Sequence, residues 1–275
     1  MIFNILIKSI LFTFIISFVI AEEKALTGDC KEIFDFFESR NKTSSLTGCD
    51  VNSDGKVTAL ALKSYEITEE CVKKALSYNT ITKLQYNKIG ATPGHDPEYK
   101  LFPPEIANLT SLEELSFSYS GYRIYDRTGI SAGSLKVSKS LKKLSINGFI
   151  ASQSNIDDIS TLTNLEYLDL SYFNRPAEKF NFDSLKNLNK LSTLELKNEG
   201  FVPLDTMPEV VYSSASTLEQ LTIVGHKIGS ITDQFLKLKN LKHLDLRGCE
   251  LSNILDYVKD LKNLEYLDKI SNISI

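Results

Sequence analysis

The chain has 275 residues and a formal charge of −4, with 42% hydrophobic and 24% charged residues. This balance is too apolar for a disordered chain, and the length suits one large domain or two small ones. No block of Lys or Arg supplies the basic stripe that nucleic-acid binding needs, so that partner class is set aside.

Residues 1–21 read as a signal peptide. Lys8 is followed by an apolar run from Ile10 to Ile20 broken only by Thr13 and Ser17. Val19 and Ala21 stand where a signal peptidase takes small or slender residues, and Glu22-Glu23 follows at once. The run approaches spanning length, so an uncleaved membrane anchor is the rival reading. The abrupt polar flank favours cleavage after Ala21 and a secreted, extracellular product. Loss of Lys8 leaves 30 basic and 35 acidic residues, a charge of −5. No second long apolar run follows, so no membrane span is expected after cleavage.

Asp29 to Phe37 has helical apolar spacing through Cys30, Ile33, Phe34, Phe36 and Phe37. The stretch Asp50-Val51-Asn52-Ser53-Asp54-Gly55-Lys56-Val57 matches the opening of an EF-hand loop, with oxygen ligands at the first, third and fifth positions. The twelfth position should be a bidentate carboxylate, but it is Ala61. An Asp-Gly hairpin turn accounts for the same residues, and no metal site is expected.

From Val57 the chain repeats L-x-x-L-x-L. The units are Val57-Leu60-Leu62, Ile81-Leu84-Tyr86, Leu112-Leu115-Phe117, Leu141-Leu144-Ile146, Leu165-Leu168-Leu170, Leu191-Leu194-Leu196, Leu218-Leu221-Ile223 and Leu241-Leu244-Leu246. Leu264 and Leu267 open a ninth, in which Lys269 replaces the third apolar residue. Successive units start 24, 31, 29, 24, 26, 27, 23 and 23 residues apart. Alternation within each unit predicts a short strand with one apolar face, which stacking buries. Apolar residues at helical spacing precede the strands, as in Ile159-Leu162-Leu165 and Val258-Leu261-Leu264, and predict short helices or 3₁₀ turns. The two long intervals hold turn-rich insertions at 90–97 and 122–135.

This pattern resembles the leucine-rich-repeat family over essentially the whole chain after the leader. Phe102 to Leu112, which contains Pro103-Pro104-Glu105-Ile106-Ala107-Asn108-Leu109, is similar to the plant-type repeat. The resemblance implies an α/β fold, a right-handed solenoid or horseshoe. Its parallel sheet lines the concave face, and short helices, 3₁₀ turns and loops line the convex face. It divides the chain into a cap at 22–56 and a repeat domain at 57–275 of about 8–9 repeats.

Family members commonly place Asn or Cys three residues after the last strand leucine. Here that position holds Tyr65, Ser120, Phe149, Phe173, Glu199, His226 and Cys249, so the expected asparagine ladder is largely missing. In secreted members a disulfide commonly ties the amino-terminal cap, which implies Cys30–Cys49, with Cys71 as a competitor. Cys249 is expected to be a buried free thiol. At the far end the ninth unit lacks a cysteine-bearing cap. Either residues 270–275 fold over it, or that end pairs with another chain, or the sequence is a fragment of a longer gene product.

Asn41, Asn108 and Asn272 lie in N-x-S/T sequons and are glycosylation candidates if the source is eukaryotic. His95, His226 and His243 have no spaced nucleophile or carboxylate partners, and no phosphate-binding loop occurs, so neither catalysis nor a cofactor is expected. The functional surface is then the concave face, where acids outnumber bases. Its candidate contacts are Glu114, Tyr119, Glu166, Tyr167, Asp169, Tyr172 and Glu195, the tyrosines serving as aromatic anchors. The implied role is a binding or recognition module for a protein ligand, with a polysaccharide or cell-wall binder and an assembly protein using the open carboxy-terminal end as alternatives.

Overall fold

The computed structural model describes residues 26–63, 67–89, 102–120, 130–173, 180–198 and 203–268. The leader, Asn272, Tyr65, Glu199 and most of both insertions lie outside the described residues. Ten strands form one sheet in chain order. They are β1 (Leu46–Val51), β2 (Val57–Lys63), β3 (Lys83–Ile89), β4 (Glu114–Ser120), β5 (Lys143–Ile150), β6 (Tyr167–Phe173), β7 (Thr193–Asn198), β8 (Gln220–Val224), β9 (His243–Asp245) and β10 (Tyr266–Asp268). β1 is antiparallel to β2 and every later pair is parallel. The fold is a right-handed leucine-rich-repeat solenoid.

Register follows the repeat. Leu60, Leu84, Leu115, Leu144, Leu168, Leu194, Leu221 and Leu244 pair across successive strands. Each is at most 2% exposed, and full burial of such a side chain contributes about 2 kcal/mol. Just before each strand one more backbone bond reaches the previous unit, as in Glu166 N to Lys142 O and Glu219 N to Ser192 O, both 2.8 Å.

The returning segments are short, as the spacing predicts. They are helices α2 (Glu69–Ala75), α3 (Gln153–Ile159), α4 (Glu209–Ser213) and α5 (Ile254–Val258), with 3₁₀ turns at Pro104–Asn108, Phe182–Asn187 and Asp233–Lys237. Helix α1 (Gly28–Glu38) lies before the first repeat and buries Cys30, Ile33 and Phe37. Cys30 and Cys49 form a disulfide to β1, while Cys71 and Cys249 are free and buried. The segment read as either an EF-hand opening or a hairpin is the β1–β2 turn. Asn52 Oδ1 accepts from the N–H groups of Asp54 and Lys56, both at 3.0 Å.

A ladder does link the repeats, but not where the family pattern places it. The asparagine immediately before the first strand leucine forms the rungs. Asn164 Nδ2 donates to Lys139 O at 2.9 Å, Asn240 Nδ2 to Ser216 O at 2.7 Å and Asn263 Nδ2 to Lys239 O at 2.6 Å. Hydroxyls of Thr80, Ser138 and Thr217 reach back in the same way to Val57, Thr110 and Leu191. At the expected position, Cys249 Sγ donates to Ile223 O at 3.0 Å. His226 Nδ1 accepts from Leu204 N at 3.0 Å.

Candidate functional site

The solvent-facing side of the sheet is built from the residues that alternate with the core leucines. Parallel register aligns them in rows across the strands. One row runs Lys83, Glu114, Lys143, Tyr167, Thr193, Gln220, His243 and Tyr266. The next runs Gln85, Ser116, Ser145, Asp169, Glu195, Thr222, Asp245 and Asp268.

At its centre β5, β6 and β7 assemble one polar cluster. Asp169 is only 7% exposed although it points to the open side, with Asn147, Tyr167, Glu195 and Lys197 around it. Its Oδ2 accepts from Ser145 Oγ at 2.9 Å and from Asn147 Nδ2 at 3.2 Å. Lys197 Nζ stands 3.5 Å from Asp169 Oδ1 and also pairs with Glu195. Burial alone would push the Lys197 ammonium down, but Asp169 and Glu195 together hold it above the ordinary lysine value. Tyr167 sits half-buried beside them, and burial followed by the charges of Asp169 and Glu195 pushes its phenol up. Two carboxylates against one ammonium leave this cluster with a net negative charge.

The other candidates divide. Glu114 lies on the face between Lys83 at 3.2 Å and Lys143 at 3.7 Å. Glu166 is exposed at the margin, one residue before β6. Contrary to the expectation from the sequence, neither Tyr119 nor Tyr172 belongs to the face. Tyr119 is 7% and Tyr172 1% exposed. Both strands keep their pleat beyond the repeat motif, so Tyr119 shares the side of Leu115 and Phe117, and Tyr172 that of Leu168 and Leu170. Tyr172 packs among Phe180, Phe182 and His226 at ring distances of 5.8, 5.9 and 6.3 Å.

Two bases on the face were missed by reading only the L-x-x-L-x-L motif. Lys197 and Arg247 each follow the third apolar residue, where the strand side still faces out. Arg247 Nη2 lies 2.6 Å from Asp245. Several acids of the face are therefore matched in place, and its surplus is smaller than the motif positions suggest. His243 and Tyr266, neighbours in the first row, stack at 4.8 Å with planes 6° apart.

No protein-family model matches the chain, and no curated protein is significantly similar to it. Among solved structures it is similar to InlP of Listeria monocytogenes, with 18% identity and a TM-score of 0.50 over 87% of this chain and 65% of that one. It is also similar to the Arabidopsis receptor kinase HAESA, solved with a peptide hormone and a co-receptor. That match has 15% identity and a TM-score of 0.48 over 90% of this chain and 52% of that one. A leucine-rich-repeat protein of Leptospira interrogans matches at 18% identity and a TM-score of 0.38, over 78% and 60% of the two chains. The chain thus spans 52% to 65% of the length of these structures, and the likeness is one of fold.

Proposed function

We propose that this chain is an extracellular recognition module that binds a protein partner through the concave, open face of its sheet. The observation that carries the reading is the cluster of Ser145, Asn147, Tyr167, Asp169, Glu195 and Lys197. It is held on three adjacent strands and prearranged by hydrogen bonds before any partner arrives. Groups fixed on rigid strands lose little freedom on binding, which favours specific recognition. The negative surplus there suits a basic side chain or an amino terminus of the partner. The Cys30–Cys49 disulfide and the apolar leader support an extracellular setting. Asn41 and Asn108, the proposed glycan acceptors among the described residues, are both exposed. Neither lies on a strand of the sheet.

The test is capture of extracellular proteins and, separately, polysaccharides on the immobilised chain. A retained protein that is lost on combining Tyr167→Ala with Glu195→Gln, in a chain that stays folded and still unfolds cooperatively, supports the reading. Retention of glycan alone, or protein binding indifferent to both changes, overturns it.

A further inference from the structure

The cluster on β5, β6 and β7 leaves one acceptor unmet. Asp169 Oδ2 takes hydrogen bonds from Ser145 and Asn147, but the buried Oδ1 takes none among the described residues. A buried carboxylate oxygen without a donor is costly. Lys197 is the cation paired with it, and it does not close the gap. Its Nζ bonds to Glu195 while standing 3.5 Å from Asp169 Oδ1. Asp169 and Glu195 are register partners on adjacent strands, so one point charge bonds to the first or the second but not to both. The Lys197 side chain is 35% exposed, and its flexible four-carbon stem lets the ammonium swing to solvent without moving the strand.

We propose that Asp169 and Glu195 form a receptor for a guanidinium group, the arginine side chain of a partner, and that the Lys197 ammonium is an internal stand-in which the guanidinium displaces. Resting on the recognition function proposed above, this assignment names the group recognised. A guanidinium carries five N–H donors in a rigid planar fork. It can give one edge to Asp169 Oδ1 and another to Glu195, where the ammonium already present bonds to Glu195 alone. The charges agree. Two carboxylates face one ammonium, and an incoming monocation cancels the surplus. Lys197 also adds discrimination. An internal competitor lowers the apparent affinity of any cation by the fraction of time it holds the site, so only a group that makes more bonds than an ammonium gains by displacing it.

Chemical-shift titration of the full chain with N-acetyl-arginine methylamide tests this, with the lysine and citrulline analogues as controls. The expected result is saturable perturbation at Asp169, Glu195 and Lys197 by the arginine probe. The lysine probe should bind about tenfold more weakly, and the neutral citrulline probe not at all. Lys197→Met removes the internal cation and should tighten the arginine probe about tenfold. Glu195→Gln should weaken it about as much, and it leaves the bonds from Ser145 and Asn147 to Asp169 in place. Failure of the arginine probe to bind the Lys197→Met chain, equal binding of the arginine and lysine probes, no tightening after Lys197→Met, or indifference to Glu195→Gln overturns the proposal. A captured protein that depends on this face, with no binding of the arginine probe, leaves the recognition function standing and this assignment refuted. A bound arginine probe with no protein retained does the reverse.

Discussion

Gly28 touches Gly55 so closely that no side chain fits between them: a Cβ on Gly28 would stand 2.1 Å from the Gly55 carbonyl oxygen. The same oxygen accepts from Asp29 N at 2.8 Å, and Asp29 Oδ2 accepts from Val57 N at 3.1 Å. The first turn of α1 is thereby locked onto the β1–β2 hairpin.

Gly28→Ala should therefore destabilise the amino-terminal end by on the order of 3 kcal/mol, combining backbone overlap with a φ of +57°. Gly133→Ala is the control. Its φ is +84° but a Cβ there meets nothing within 4 Å, so about 1 kcal/mol is expected. Urea unfolding of both variants measures the difference, and equal losses would show that the Gly28–Gly55 contact carries no strain.

His226 makes stability depend on pH. It is fully buried, and its Nδ1 accepts from Leu204 N, so the neutral ring carries its proton on Nε2, which has no partner among the described residues. A second proton would face the Leu204 N–H head-on, and burial pushes the imidazole from 6.5 down to about 4. The unfolded chain thus binds more protons than the folded one between these values. Stability from this site is complete above about pH 6.5 and falls as pH drops towards 4, by about 3 kcal/mol in all. His226→Leu should flatten that part of the stability profile while costing about 2 kcal/mol at neutral pH, because the Leu204 N–H loses its acceptor. Thermal unfolding of the two chains between pH 4 and 7.5 shows whether the slopes diverge.

The two tyrosines of β6 should separate folding from recognition. Tyr172→Ala empties a site ringed by Phe180, Phe182 and His226 and should lower stability by about 4 kcal/mol. Tyr167→Ala removes a half-buried ring from the open face and should lower it by about 1 kcal/mol. Denaturant midpoints check the order, and equal losses would contradict the assignment of opposite sides to these residues.

The architecture was legible because the L-x-x-L-x-L period is an accounting of burial: each copied leucine has one place to go once units stack. The face was less legible. Aromatic character suggests exposure for Tyr119 and Tyr172, whereas parity from Leu115 and Leu168 assigns both to the core. Lys197 and Arg247 were missed because the strand side outlasts the six-residue motif. The Asp169 network could not be seen at all, since it depends on which outward residues of β5, β6 and β7 fall side by side. With repeats of 24, 26 and 27 residues, that alignment depends on where each loop returns the chain to the sheet.

The asparagine rungs carry the last prediction. Asn164, Asn240 and Asn263 occupy one repeat position, and each donates to a carbonyl of the preceding unit. Asn164 also accepts from Lys190 Nζ at 2.7 Å, joining three units through one amide. Replacement by Ala leaves the receiving carbonyl to water because the sites are exposed, so each change should cost about 1 kcal/mol rather than a full buried bond. In a stack where every unit contacts only its neighbours, distant losses add and adjacent ones interact. Asn164→Ala with Asn240→Ala should thus equal the sum of the single changes. Asn240→Ala with Asn263→Ala should depart from it, because both rungs end on the repeat that begins at Leu241, one at each of its two interfaces. Equilibrium unfolding of the five variants and their parent distinguishes these outcomes, and full additivity in both pairs would mean the rungs act one by one instead of through the stack.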